Sequence, residues 1–137
     1  MMIIFQFALT WYNILMGLTN LKLIVKNPQK QSRKQEVEFL VDSGAVYTVI
    51  DKKILNKIGI TPTSKKTFFL ANNSSVDRKV GDAYFEYGGE SGYAKVVFGE
   101  PGDSNLLGVT TLESLGYVLD PIQRKLLQLP MLLASFR

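Results

Sequence analysis

Apolar and polar positions alternate along most of this chain with the two-residue period of strands, and each run is short. Leu21, Leu23 and Val25 occupy every second position and predict a first strand. Asn27-Pro28, followed by the polar stretch Gln29 to Gln35, predicts a turn or loop. Val37 to Val41 predicts a second strand that grows more apolar until it runs into Asp42-Ser43-Gly44-Ala45. Val46 to Ile50 is apolar again apart from Thr48. Asp51 is placed to cap a short helix over Lys52 to Ile58, with Gly59 as its left-handed stop. Pro62 and the polar residues Thr63 to Lys66 predict a loop, and Thr67 to Leu70 a further strand.

Beyond this point hairpins dominate. Ala71 to Ser75 reads as a small polar tip from which Val76 to Val80 returns. Asp82 to Tyr87 and Tyr93 to Phe98 predict another hairpin across Gly88 to Gly92. Gly99 to Asn105 predicts a loop, and Leu106-Leu107-Gly108 a short apolar strand ending in glycine. Thr110-Thr111-Leu112-Glu113 has capping-box spacing, which predicts a short helix to about Leu115 that stops at Gly116. Tyr117 to Leu119 and Lys125 to Leu129 are the last predicted strands, joined through Asp120-Pro121. Many short strands with two short helices predict a mainly β, barrel-like domain.

Composition narrows the chemistry. With 137 residues, 46% of them hydrophobic, the chain suits one domain with a real core. The net charge of +4 is mild. Lys22, Lys26, Lys30, Arg33, Lys34 and Lys125 are dispersed, without the basic stripe or basic-aromatic face of a nucleic-acid binder, so no nucleic acid is expected as partner. There is no cysteine and no histidine. Thiolate nucleophiles, Ser-His-Asp catalysis and His-ligated zinc are thereby excluded. Any hydrolytic proton chemistry must come from carboxylates, lysines or tyrosines.

The first stretch, Met1 to Leu18, is almost wholly apolar, broken by Gln6, Thr10 and Asn13. It approaches the roughly 18–20 residues that a membrane helix needs. It lacks a clear small-residue cleavage site, which makes a secretory signal a poor fit. It fits a weak membrane anchor, an extra apolar segment packed on the domain, or a mis-assigned start with Met16-Gly17-Leu18 as the true beginning. The last is the expectation, because a strand pattern begins straight after Met16. The expected organisation is therefore an apolar extension over residues 1–15, a domain over 16–130 and a tail over 131–137. The expected location is cytoplasmic, with membrane attachment only if residues 1–18 act as an anchor.

Asp42 stands out chemically. A carboxylate between two apolar runs costs free energy unless something pairs with it. Asp-Ser-Gly alone is an ordinary turn former, but Phe39-Leu40-Val41 before it and Ala45 to Ile50 after it are not the flanks of a surface turn. With those flanks, the chain resembles the retropepsin-like aspartic peptidases, single-domain relatives of the retroviral proteases, most closely their bacterial and archaeal members. The resemblance spans nearly everything from Met16 to Leu129. It rests on Leu40-Val41-Asp42-Ser43-Gly44-Ala45, on Leu106-Leu107-Gly108 leading into Thr110 to Leu115, and on the hairpin Phe68 to Val80 between them.

The resemblance implies a closed, barrel-like retropepsin (acid protease) fold with two short helices. It implies an aspartic endopeptidase with Asp42 as the catalytic carboxylate and Ser43, Gly44 and Ala45 as support for the active-site turn. Ala71, Asn72, Asn73 and Ser74 would lie in the flap over the substrate, and Leu106, Leu107 and Gly108 would support the ψ-loop. No metal and no cofactor are implied; the partners are a peptide or protein substrate and a second copy of the chain. Such chemistry needs two carboxylates sharing one proton, and no other acid here has the setting of Asp42. A symmetric homodimer supplies the second. The chain departs from retroviral members at Val46 and Tyr47, where they carry acids, and at Val109, where they carry arginine; both halves of that ion pair are absent together. The alternative function is a catalytically inactive retropepsin-like dimeric interaction module.

Overall fold

The computed structural model describes residues 20–42, 44–69, 72–120, 122 and 125–129. The expected extension over 1–15, the start at 16–18, Ser43, Leu70, Ala71 and the tail over 131–137 lie outside these. Strand β1 (Asn20–Asn27) turns its odd positions inward, burying Leu23, Val25 and Asn27. It pairs antiparallel with β2 (Lys30–Val41), whose Val37, Phe39 and Val41 face the same interior. The turn is set by Asn27, whose Oδ1 accepts the N–H groups of Gln29 (2.8 Å) and Lys30 (3.3 Å). Its Nδ2 donates to the carbonyl of Ile58 at 3.0 Å and so fastens the hairpin to the end of the first helix.

The polar stretch Gln29 to Gln35 is therefore not a loop: Lys30 to Gln35 form the first half of β2. Lys30, Lys34 and Gln35 pair with Asn27, Lys26 and Val25 of β1 across an irregularity in the register, and residues 30–34 are exposed, so no apolar alternation marks the stretch as strand. The same correction applies to Ser64 to Lys66. They belong to β4 (Ser64–Phe69), paired with Arg78 to Val80.

After Asp42, β3 (Thr48–Asp51) leads into α1 (Lys52–Lys57). Asp51 caps that helix through the N–H of Lys53 at 2.9 Å, and Gly59, at φ +81°, ends it as expected. The two strands expected over Val76 to Val80 and Asp82 to Tyr87 are one, β5 (Ser75–Tyr87), running through Gly81. A two-residue turn at Gly88-Gly89, both at positive φ, joins it to β6 (Glu90–Gly99). Then follow β7 (Leu106–Leu107), α2 (Val109–Ser114), β8 (Tyr117–Asp120) and β9 (Lys125–Gln128).

The main sheet runs β1-β2-β7-β3-β6-β5-β4, and β1 also pairs with β5 through Ile24↔Glu86 to Lys26↔Tyr84. Six strands thus close a ring, while β4 pairs only with β5 among the described strands. The β4–β5 arm extends that ring as a hairpin, and β8-β9 form a small second sheet. Inside the ring lies a large apolar cluster that includes Val25, Phe39, Val41, Phe85, Val96 and Leu107. A second, smaller cluster of Ala45, Val49, Val80, Val97 and Leu106 is flanked by Leu40, Tyr47 and Phe68. No described helix is long and apolar enough to cross a membrane.

Asn27 carries three hydrogen bonds at a site that is 9% exposed. Asn27→Ala leaves the Ile58 carbonyl and two turn amides without it. It should lower stability by about 1–3 kcal/mol, read as a shift of the urea midpoint at constant slope.

Candidate active site

The end of β2 is drawn inward by β7. The two run parallel, with Leu40 opposite Leu106 and Val41 opposite Leu107. The N–H of Asp42 continues that ladder by one residue, donating to the Leu107 carbonyl at 3.1 Å. The chain then turns at once: the N–H of Ala45 donates to the Asp42 carbonyl at 3.1 Å, and the N–H of Gly44 donates to Asp42 Oδ1 at 2.8 Å. The side chain thus helps to form its own turn, the local reason for an aspartate here.

Asp42 is only 1% exposed. Among the described residues, its second oxygen, Oδ2, is buried without a hydrogen-bond partner. Burial raises the pKa of the carboxyl above the ordinary aspartate value, while the N–H groups of Gly44 and Ala45 pull it back in part. Among the described residues one oxygen is therefore held and the other has no partner, in a carboxyl biased toward keeping its proton.

Three contacts hold this loop against the element that follows β7. The first is steric. A Cβ on Gly108 would lie 2.5 Å from the carbonyl carbon of Tyr47 and 2.8 Å from the nitrogen of Thr48, so only glycine fits. The second is a buried hydroxyl pair: Thr48 Oγ1 accepts the N–H of Gly108 at 2.9 Å and lies 2.5 Å from Thr111 Oγ1. Both threonines are fully buried. The third uses the open amides of the α2 amino terminus. Val109 N–H donates to the Ala45 carbonyl at 2.8 Å, and Thr110 donates to the Val46 carbonyl through N–H (3.1 Å) and hydroxyl (2.8 Å).

The expected capping box over Thr110 to Glu113 is corrected by this arrangement. Gly108 is the N-cap and has no side chain to donate or accept, so Thr110 stands inside the helix and its hydroxyl serves the Asp42 loop instead.

Of the residues expected in the site, Asp42, Gly44, Ala45, Leu107 and Gly108 come together here, while Leu106 lies in the second apolar cluster beside Ala45. Asn72, Asn73 and Ser74 sit exposed at the tip of the β4–β5 hairpin. Their hydrogen bonds are local: Asn72 Oδ1 accepts the N–H (3.0 Å) and hydroxyl (2.5 Å) of Ser74, and Asn73 adopts φ 70°. Ser43 and Ala71 lie outside the described residues. Thr48, Thr110 and Thr111 were not among the residues expected in the site; the last two were expected only at the start of a helix. The available signal was Thr48 as the one polar position between Val46 and Ile50.

The profile of the aspartyl protease family matches residues 30–111, from the start of β2 into α2. The chain belongs to the aspartyl protease family. Among solved structures it is similar to the EIAV protease complexed with the inhibitor HBY-793, with a TM-score of 0.54 at 15% identity, covering 75% of this chain and 92% of that one. It is also similar to the Simian Foamy Virus (mac) protease, with a TM-score of 0.46 at 18% identity, covering 68% and 92%. A retropepsin-like aspartic protease from Rickettsia conorii gives 0.47 at 22% identity, covering 74% and 75%. No curated protein sequence is significantly similar to this chain. The ring of strands, with two short helices among the described residues, is the retropepsin fold of this aspartyl protease family member.

Two outcomes test the geometry. Thr48→Val leaves the Gly108 N–H and the Thr111 hydroxyl buried without their partner and should cost about 1–3 kcal/mol, whereas Thr48→Ser should recover most of that in chemical denaturation. The second concerns pH. Because burial raises the Asp42 pKa, the unfolded chain loses this proton first as pH rises, so native stability falls across the interval between the two pKa values. Asp42→Asn removes that penalty. Its stability should match the native chain below the ordinary aspartate range, exceed it by a margin that grows across that interval, and keep that margin above it, measured by urea denaturation of dilute protein. A difference independent of pH would refute the assignment.

Proposed function

We propose that this member of the aspartyl protease family is an endopeptidase whose working unit is a homodimer, with water activated between the Asp42 carboxyls of two copies. The observation that carries this reading is the half-satisfied Asp42. Its Oδ1 is held by Gly44, its Oδ2 is buried without a partner among the described residues, and its pKa is raised by burial. An oxygen of that kind costs free energy in a lone chain. A second carboxyl about 3 Å away, sharing one proton, answers that cost and sets up the chemistry. The shared proton belongs to the pair, which titrates as a unit.

The steps balance without an added group. The ionised carboxyl takes a proton from water as its oxygen bonds to the scissile carbonyl carbon. The protonated carboxyl gives its proton to the carbonyl oxygen, forming a gem-diol. On collapse the peptide nitrogen takes the proton held by the carboxyl that had deprotonated water, the C–N bond breaks, and one diol hydroxyl gives its proton to the other carboxyl, which restores the singly protonated dyad. Asp42 is the catalytic residue of each copy. Gly44 and Ala45 hold its orientation, Ser43 braces the two turns across the dimer, and Leu106, Leu107 and Gly108 support the loop. Peptide would bind extended beneath the hairpin that carries Ala71 to Ser74. The N–H of Ser74 is already taken by Asn72, so other backbone groups of the tip would meet it.

Two surfaces suit a second copy. Val46, beside the Asp42 turn, is 57% exposed. Val118 and Leu127, directly opposite each other on β8 and β9, also present apolar surface.

The test is cleavage of a peptide library from mildly acid to neutral pH. Asp42→Asn should lower kcat/KM by roughly 10³-fold or more, and specific activity of the native chain should fall on dilution. Equal cleavage by native and variant would sink the mechanism, and an active monomer would sink the pairing. A native dimer that cleaves nothing at any pH would instead be an interaction module.

A further inference from the structure

One side-chain contact joins the β4–β5 hairpin to the loop that feeds β7. Arg78 Nε donates to Asp103 Oδ2 at 2.9 Å and Nη2 donates to Oδ1 at 3.3 Å, the forked geometry of a strong guanidinium–carboxylate pair. The side chains are 15% and 9% exposed, so water screens the pair weakly. Asp103 is itself held rigid. Its N–H donates to the Glu100 carbonyl, and its Oδ2 accepts the N–H of Glu100, both at 2.9 Å.

The anchor continues into the frame of Asp42. Two residues on, the Asn105 carbonyl accepts the N–H of Leu40 at 3.0 Å, and its Oδ1 accepts the N–H of Asp51 at 2.8 Å. Leu106 and Leu107 follow, and Leu107 receives the N–H of Asp42.

Register decides which face of the hairpin Arg78 occupies. Phe68 pairs with Val76 and Lys66 with Arg78, so alternation puts these four on one face. Phe68 packs on the second apolar cluster, so this is the inner face. The outer face carries the Thr67–Asp77 hydrogen bond at 2.8 Å. Lys66 and Arg78 are like charges directly opposite one another, a repulsive arrangement unless one is neutralised. Asp103 neutralises Arg78.

We infer that the Arg78–Asp103 pair is the latch that holds the β4–β5 hairpin against the loop at residues 100–105. Arg78 is thus a positioning residue for whatever that hairpin covers. The inference rests on the reading of the hairpin as the substrate cover, and its physical part is tested separately.

Hydrogen–deuterium exchange of the full chain, followed by mass spectrometry, reads hairpin opening without any substrate. Arg78→Gln should speed exchange of amides 64–69 and 72–80 about 5–30-fold and leave the β1–β2 ladder at Leu23 to Val25 unchanged. Arg78→Lys, which keeps one contact to Asp103, should restore part of the protection. Unchanged hairpin exchange in Arg78→Gln, or acceleration spread evenly over the ring, overturns the latch. Cleavage assays form the second arm. In an active enzyme Arg78→Gln should raise KM several-fold with little change in kcat. A native chain that cleaves nothing, yet shows the exchange difference, refutes the peptidase reading and leaves the latch standing.

Discussion

The contact on which the rest of this structure depends is the insertion of Leu106-Leu107-Gly108 between β2 and β3. β7 is only two residues long, yet it pairs parallel with β2 and antiparallel with β3. It thereby spans the gap that the Asp42 turn opens between those strands and closes the ring. That insertion is possible only because Gly108 brings no side chain to the backbone of Tyr47 and Thr48. Close approach then lets one hydroxyl, that of Thr48, serve the Gly108 amide and meet Thr111 in a site from which water is excluded. Remove the glycine and the turn, the ring and the orientation of Asp42 all lose their common support.

Energetically the loop is an uneven bargain. The backbone polar groups around it are well satisfied: Ala45 and Val46 give their carbonyls to the α2 amides, and Asp42 is paired on both its N–H and its carbonyl. Against that stands one buried carboxylate oxygen with no partner among the described residues. A rigid, satisfied frame around one unsatisfied acid is the arrangement expected where a raised pKa serves chemistry rather than stability. It also explains why the site reads as half complete: among the described residues no donor reaches Asp42 Oδ2.

The two apolar clusters divide the labour. The larger one fills the ring and carries the fold. The smaller one lies beside the Asp42 turn, where Ala45 and Leu106 meet Val49, Val80 and Val97 and where Phe68 brings in the inner face of the hairpin. Arg78 and Asp103 add a polar tie near the same junction, so the hairpin meets the wall beside the site through both apolar and ionic contact.

Much of this was legible in order. Alternation at Leu21 to Val25 and Val37 to Val41, the cap at Asp51 and the stop at Gly59 were readable because each depends on neighbours in sequence: side-chain period, a local hydrogen bond, a positive φ. Lys30 to Gln35 and Ser64 to Lys66 were not readable as strand, because exposed residues take strand structure from the partner's ladder and leave no apolar mark of their own. The residues Asp42-Ser43-Gly44 and Leu106-Leu107-Gly108 could be picked out by type and spacing, and membership of the aspartyl protease family follows from sequence similarity over residues 30–111. Their meeting could not be read locally, nor could the Thr48–Thr111 pair 63 residues apart or the Arg78–Asp103 pair 25 apart. The sequence by itself determined the buried–exposed alternation of β1 and of the end of β2, and which acid is set between apolar runs. Only the tertiary structure decided that one oxygen of that acid is held and the other is without a partner among the described residues, because hydrogen-bond satisfaction depends on which distant groups the closed ring brings within reach.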